Sequence, residues 1–254
     1  MLPQPPEEYK IFEYAKEVGK KMGVPVEVGN VISKKGGVVY FNPFVVIEIS
    51  QKTGVDPYTI TYHFVCHEHM HNILHEKLDR DHWKKVRLLE VWLTLLERGI
   101  FGVPWNIIGK LSGAIGSLVE DYYIDTVLYK EVVDDPEKYE KGGEAIDRSI
   151  LLVASDRLSV YMLIPRPTVI DRIWLVIGVG SLSLTALTYK ESPEVVEVLE
   201  KYGLREVYDR IKKIIARVED VDDIPNVYHD LVYEIVDTAL ALHSKWLSFQ
   251  FSFN

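Results

Sequence analysis

The sequence predicts an α+β fold, with a small N-terminal β-sheet followed by a mostly helical C-terminal half. Between Val24 and Phe41 short runs are β-branched or alternate apolar with polar, the period of a half-buried strand. Beyond Pro57, apolar residues recur at three- and four-residue spacings for most of the chain, the period of helices with one face in a core. With 254 residues, 47% of them hydrophobic, and no repeat or low-complexity tract, the chain is long enough to bury a substantial core.

In order, Glu7 to Met22 carries Tyr9, Phe12, Ala15 and Val18 at helical spacing and stops at Gly23. Val24 to Val28 and Val38 to Phe41 read as strands with a turn at Gly36-Gly37, while Phe44 to Ser50 fits a strand or a short helix equally well. Asp56-Pro57 opens a long helix to about Leu78, because Asp accepts from free N–H groups and Pro suits the first helical position. A second helix covers His82 to Arg98, and a third Trp105 to Tyr129, with a break expected near Gly113 or Gly116. Glu131 to Gly143 is charged and punctuated by Pro and Gly, which predicts a surface loop. Helices are then expected over Glu144–Leu163, Val169–Tyr189, Pro193–Tyr202, Glu206–Val218 and Tyr228–Phe249. The organisation read from this is a first region over 1–130 and a helical region over 131–254, packed together as one globular unit.

The net charge of -9, with no basic patch, argues against a nucleic-acid surface. The single cysteine, Cys66, forbids an intramolecular disulfide, and MLPQPPEEYK lacks the plan of a secretory signal, so a cytoplasmic location is expected. Few Gln and Asn among many Lys, Glu, Tyr and Ile lean towards a thermophile's composition. The uncharged run between Arg172 and Lys190 is short of the roughly 20 apolar residues that span a bilayer and is dotted with Ser, Thr and Gly, which favours a buried core helix.

Six of the eight histidines fall between His63 and His82, and His63, His67, His71 and His75 are spaced by four. On a helix each such step turns only about 40°, so the four form one slanting stripe, and an i, i+4 pair can reach one ion. Within the stripe, His67-Glu68-His69-Met70-His71 is an H-E-x-x-H sequence. It sets two imidazoles for zinc and a carboxylate, Glu68, that takes a proton from a zinc-activated water and passes it to a leaving amine.

Through this motif the chain resembles the zincin metallopeptidases. The resemblance implies that His67 and His71 are ligands to one zinc ion and that Glu68 is the general base. It departs at His69, where the family usually has an apolar residue. The metzincin continuation is absent, because no glycine ends the helix after His71. The gluzincin pattern instead takes a carboxylate from a later helix, followed four residues on by an acidic residue that orients a ligand histidine. Leu118 to Asp125 is the candidate stretch: Asp121 and Asp125 have that spacing, and Glu120 has the longer reach. From Asn42-Pro43 through His75, and again over Glu120 to Asp125, the chain also resembles predicted zincins found beside von Willebrand A domains. That second resemblance favours Asp121 over Glu120 as third ligand, with Asp125 behind the ligands. His75 lies two turns from His67, too far to share its ion, and is expected to support the ligands from behind.

The expected function is therefore a zinc-dependent metallopeptidase of gluzincin type, acting on a peptide or protein held along an edge strand at Val38 to Ile49. The alternative is a non-catalytic metal-binding protein with the helical half as an interaction surface. A membrane-embedded metalloprotease is a third reading, resting on Ile173 to Tyr189.

Overall fold

The computed structural model describes residues 6–30, 33–35, 37–189 and 191–251; Gly36 and Lys190, which bound the expected turn and apolar run, lie outside them. Among the described residues eleven α-helices accompany a sheet of three strands only three, three and four residues long. The expected α+β class is thus corrected to a mostly α fold with a minor sheet.

Two local causes enlarge the helical share. After β1 (Val26–Val28), β2 (Ser33–Lys35) and β3 (Val38–Phe41), the ambiguous stretch is a helix, because Asn42 caps it by accepting from Phe44 N–H at 3.0 Å and Pro43 opens its first turn. The loop expected over Glu131 to Gly143 is also largely helical, since a helix begins at Pro136. Asp135 starts it as Asp56 starts the long helix, accepting from Lys138 N–H at 3.0 Å.

The sheet order is β1-β3-β2, with β1 parallel and β2 antiparallel to β3. This overturns the edge strand expected at Val38 to Ile49. β3 is the central strand, paired on both sides, and its supposed continuation is helix α2 (Pro43–Thr53).

The chain divides into two compact units, and not at 130/131 as expected: one comprises 1–77 and 124–152, the other 78–123 and 153–254. In the first, α1 (Glu7–Met22) and α2 pack on α3 (Pro57–Lys77), with β2 and β3 against the same helix. Its core gathers Ile11, Ala15, Val39, Phe41, Val46, Ile60, Val65, Met70 and Leu74.

In the second unit, α4 (Arg80–Glu97) and α5 (Trp105–Tyr123) pack on one another and on α11 (Ile224–Phe251), and α5 also meets α8 (Val169–Thr188). α5 does not break at Gly113 or Gly116. The Arg87 guanidinium occupies the space a side chain at Gly116 would need, so that glycine serves a close approach within an unbroken helix. α8 is the one helix among the described residues long and apolar enough to cross a membrane, and 56% of its most apolar window is buried inside the protein.

Candidate metal centre

The site is built on α3. Asp56 Oδ2 accepts from Thr59 N–H at 3.0 Å, and the helix then runs unbroken for 21 residues. That continuity turns the four-residue spacing into a row of rings. His63 and His67 lie 5.6 Å apart and stacked, His67 and His71 4.8 Å apart edge to face, and His71 and His75 6.1 Å apart. His63 and His71 are buried, while His67, Glu68, His69 and His75 are half-buried.

Behind His67 stands Asp125. The helix of α5 continues at Ile124 into a π-helical turn, Ile124–Leu128, and this wider turn carries Asp125 towards α3 within the first unit. Asp125 Oδ1 lies 2.9 Å from His67 Nδ1. Burial works against the charge of Asp125, but the facing His67, with His63 and the hydroxyl of Tyr139, holds its carboxyl below the ordinary range. An ionised carboxylate only accepts, so the hydrogen of this contact sits on His67 Nδ1, and Nε2 is the ring nitrogen turned away from it.

His63 closes the inner end of the row. It donates from Nδ1 to the carbonyl of Tyr139 at 3.0 Å, and the same carbonyl-bearing residue donates its hydroxyl to Asp125 Oδ1 at 2.5 Å. Burial pushes the His63 pKa down to about 4 against the opposing pull of Asp125, so at neutral pH it is an uncharged ring. Donor atoms of His63, His67 and Asp125 all lie within 4.8 Å of one another.

Imidazoles at i and i+4, one of them hydrogen-bonded through its far nitrogen to a half-buried carboxylate, form a donor set suited to zinc. No family model, curated protein or solved structure matches this chain. The chemistry of the site therefore rests on the residues themselves.

The remaining expected residues are placed as follows. Glu120 and Asp121 belong to α5 in the second unit. Glu120 is buried, accepting from Trp83 Nε1 at 2.8 Å and from Arg87 Nη1 at 2.5 Å, so its carboxylate already answers a half-buried guanidinium. Asp121 is half-buried one residue on. His75 occupies the last turn of α3. Elsewhere, Cys66 is buried and burial raises its thiol to about 12, a packing residue and not a reactive one. His229 bonds Glu90 across α4 and α11 at 2.6 Å, and His243 stacks on Trp246 at 6.0 Å, both within the second unit.

The residue that sequence reasoning missed is Tyr139. It lay in the stretch expected to be a surface loop. Its signal was the Asp135-Pro136 pair, the same helix opening that correctly marked Asp56-Pro57.

Proposed function

We propose that the protein is a zinc-dependent metallopeptidase in which His67 and His71 bind the ion and Glu68 acts as general base. The observation that carries this reading is the half-buried hydrogen bond of 2.9 Å between His67 Nδ1 and Asp125. It places the ring hydrogen on Nδ1 and leaves Nε2 as the nitrogen for a metal, and such a carboxylate behind a ligand histidine is a recurrent feature of zinc sites. The third ligand is assigned to Asp121 on its sequence spacing from Asp125, and the engagement of Glu120 with Trp83 and Arg87 argues against that alternative.

When bound, the ion would supply an electrophile and a water acidic enough to lose its proton near neutral pH. Glu68, one residue after His67, would serve as the base that accepts a proton from the attacking water and hands it to the departing amine. Asp125 keeps the His67 ring from turning. The substrate class is a peptide or protein, but its seat is not the β3 strand, which is paired on both sides. A cytoplasmic location belongs to the same proposal, since the lone buried thiol of Cys66 fits a reducing compartment.

Zinc content, measured by plasma mass spectrometry on untagged protein, is expected at about one ion per chain. The double change His67→Ala, His71→Ala should abolish it, while Glu68→Gln should keep the zinc and lose cleavage of a peptide library. Zinc bound with Glu68→Gln as inert as the parent would favour the non-catalytic metal-binding alternative, which the row of stacked imidazoles also suits. A protein that takes up no zinc would sink both.

A further inference from the structure

We propose that Tyr139 is a positioning residue for the ligand His67, acting through Asp125; this rests on the reading of His67 as a zinc ligand. Tyr139 lies in the first turns of α7 (Pro136–Met162) and is 1% exposed. Its hydroxyl donates to Asp125 Oδ1 at 2.5 Å, the same oxygen that His67 Nδ1 reaches at 2.9 Å, and the hydroxyl stands 3.4 Å from that nitrogen. Two donors therefore converge on one carboxylate oxygen.

The convergence has a mechanical purpose. A carboxylate turns about its last side-chain bond in a broad, shallow well, so a single hydrogen bond leaves it free to swing. A second donor on the same oxygen pins it. Asp125 needs an outside anchor because it sits on a π-helical turn. Tyr139 is itself immobilised at three points. Its ring stacks on Tyr129 at 5.1 Å and meets the His63 ring at 4.3 Å, and its carbonyl accepts from His63 Nδ1 at 3.0 Å.

The chemistry of the donor matters as well. A phenol is neutral, so it holds Asp125 without cancelling the charge that keeps the Nδ1 hydrogen on His67. An arginine or lysine in its place would compete with the imidazole for that charge. Tyr139 thus transmits the rigidity of α7 to the direction in which His67 presents Nε2.

The test is zinc affinity, read by competition with a chelating dye, across a double-mutant cycle of Tyr139→Phe and Asp125→Asn. Residues that orient a ligand histidine affect metal affinity by roughly 10–100-fold. Tyr139→Phe, which keeps the stacked ring, is expected to weaken zinc by about 10-fold, and Asp125→Asn by about as much or more. The double variant should bind within about 2-fold of Asp125→Asn alone, because the hydroxyl then has no carboxylate to hold. A merely structural tyrosine would instead weaken binding by the same factor in both backgrounds, and that result overturns the proposal.

Unchanged affinity in Tyr139→Phe, with zinc still lost in His67→Ala, His71→Ala, overturns the proposal and leaves the zinc reading standing. A wild-type chain that binds no zinc overturns both. Should Tyr139→Phe fail to fold, proton NMR of the zinc-free wild-type protein decides. A slowly exchanging Tyr139 hydroxyl with a cross-peak to the His67 Nδ1 hydrogen is expected, and exchange of that hydroxyl at the rate of an exposed tyrosine overturns the proposal.

Discussion

His63 illustrates what one buried ring does to the stability of the site. It is 4% exposed and faces Asp125, His67 and Tyr139, and burial dominates, lowering its pKa to about 4. Unfolding returns it to the ordinary value near 6.5, so between these two values the unfolded chain binds a proton that the folded chain refuses. Stability is therefore full above about pH 7 and falls as the pH drops towards 4, by about 2 kcal/mol between pH 8 and pH 5. Asp125 does not alter this window, because a lowered carboxyl keeps its stabilising contribution in full above the ordinary Asp range and loses it only as the pH falls below that range. The conservative change is His63→Asn, whose amide can still donate to the Tyr139 carbonyl but does not titrate. Urea unfolding of the zinc-free proteins at pH 8 and pH 5 is expected to show the wild type losing about 2 kcal/mol more than His63→Asn. Equal losses would mean that the buried ring accepts its proton without penalty.

At the scale of elements, α7 reaches the site only because it lies very close to α3. A Cβ on Gly142 would sit 2.6 Å from both the carbonyl oxygen of Thr59 and the Cβ of His63. Gly142→Ala sets about 1 kcal/mol of improved helix propensity against a clash with backbone that cannot turn aside. The clash is expected to win, with a net loss of about 1–2 kcal/mol in a thermal melt and weaker zinc binding, because Tyr139 moves away from Asp125 with its helix. A more stable Gly142→Ala protein would show that the two helices are free to separate.

The same residues explain what could be read from the sequence. α3 was legible because its cap, its apolar spacing and its histidine stripe all point to one helix. The start of α7 was not, since Gly142 and Gly143 among charged residues look like a loop. Gly142 actually answers a neighbour 79 residues away in sequence, His63, and local composition cannot register such a contact. The β3 to α2 boundary failed for a smaller reason: Asn42-Pro43 is a good helix opening, but the β-branched residues after it suit a strand equally. The π-helical turn that brings Asp125 to His67 left no compositional mark at all.

For the whole molecule, the division of the chain makes a prediction that the expected boundary at 130/131 would reverse. The chain passes between its two units at 77/78, 123/124 and 152/153, the second of these where α5 runs directly into the π-helical turn. No shift in composition marks that crossing, so a boundary drawn at the charged stretch after residue 130 cuts through both units. A fragment of residues 1–130 would retain α4 and α5 without α8 and α11, their partners in the second unit. Trp83 would lose its edge-to-face contact with Tyr228 at 5.3 Å, Arg87 its carbonyl's bond to the Tyr228 hydroxyl at 3.1 Å, and Leu118 its packing against Gly180. Val91, Leu95, Ile108, Leu111 and Ile115, all buried in the full chain, lie on the helices so stripped. Re-exposing a large aliphatic side chain costs about 1.5–3 kcal/mol, so baring all five costs about as much as the whole net stability of about 5–15 kcal/mol typical of a domain. The fragment also lacks α7, and with it the hydroxyl that pins Asp125. It is expected to show helical circular dichroism without a cooperative melt, and zinc affinity at least as weak as that of full-length Tyr139→Phe. A sharp melt together with full zinc affinity would establish 1–130 as an autonomous metal-binding domain, and α7 would then be dispensable to the site.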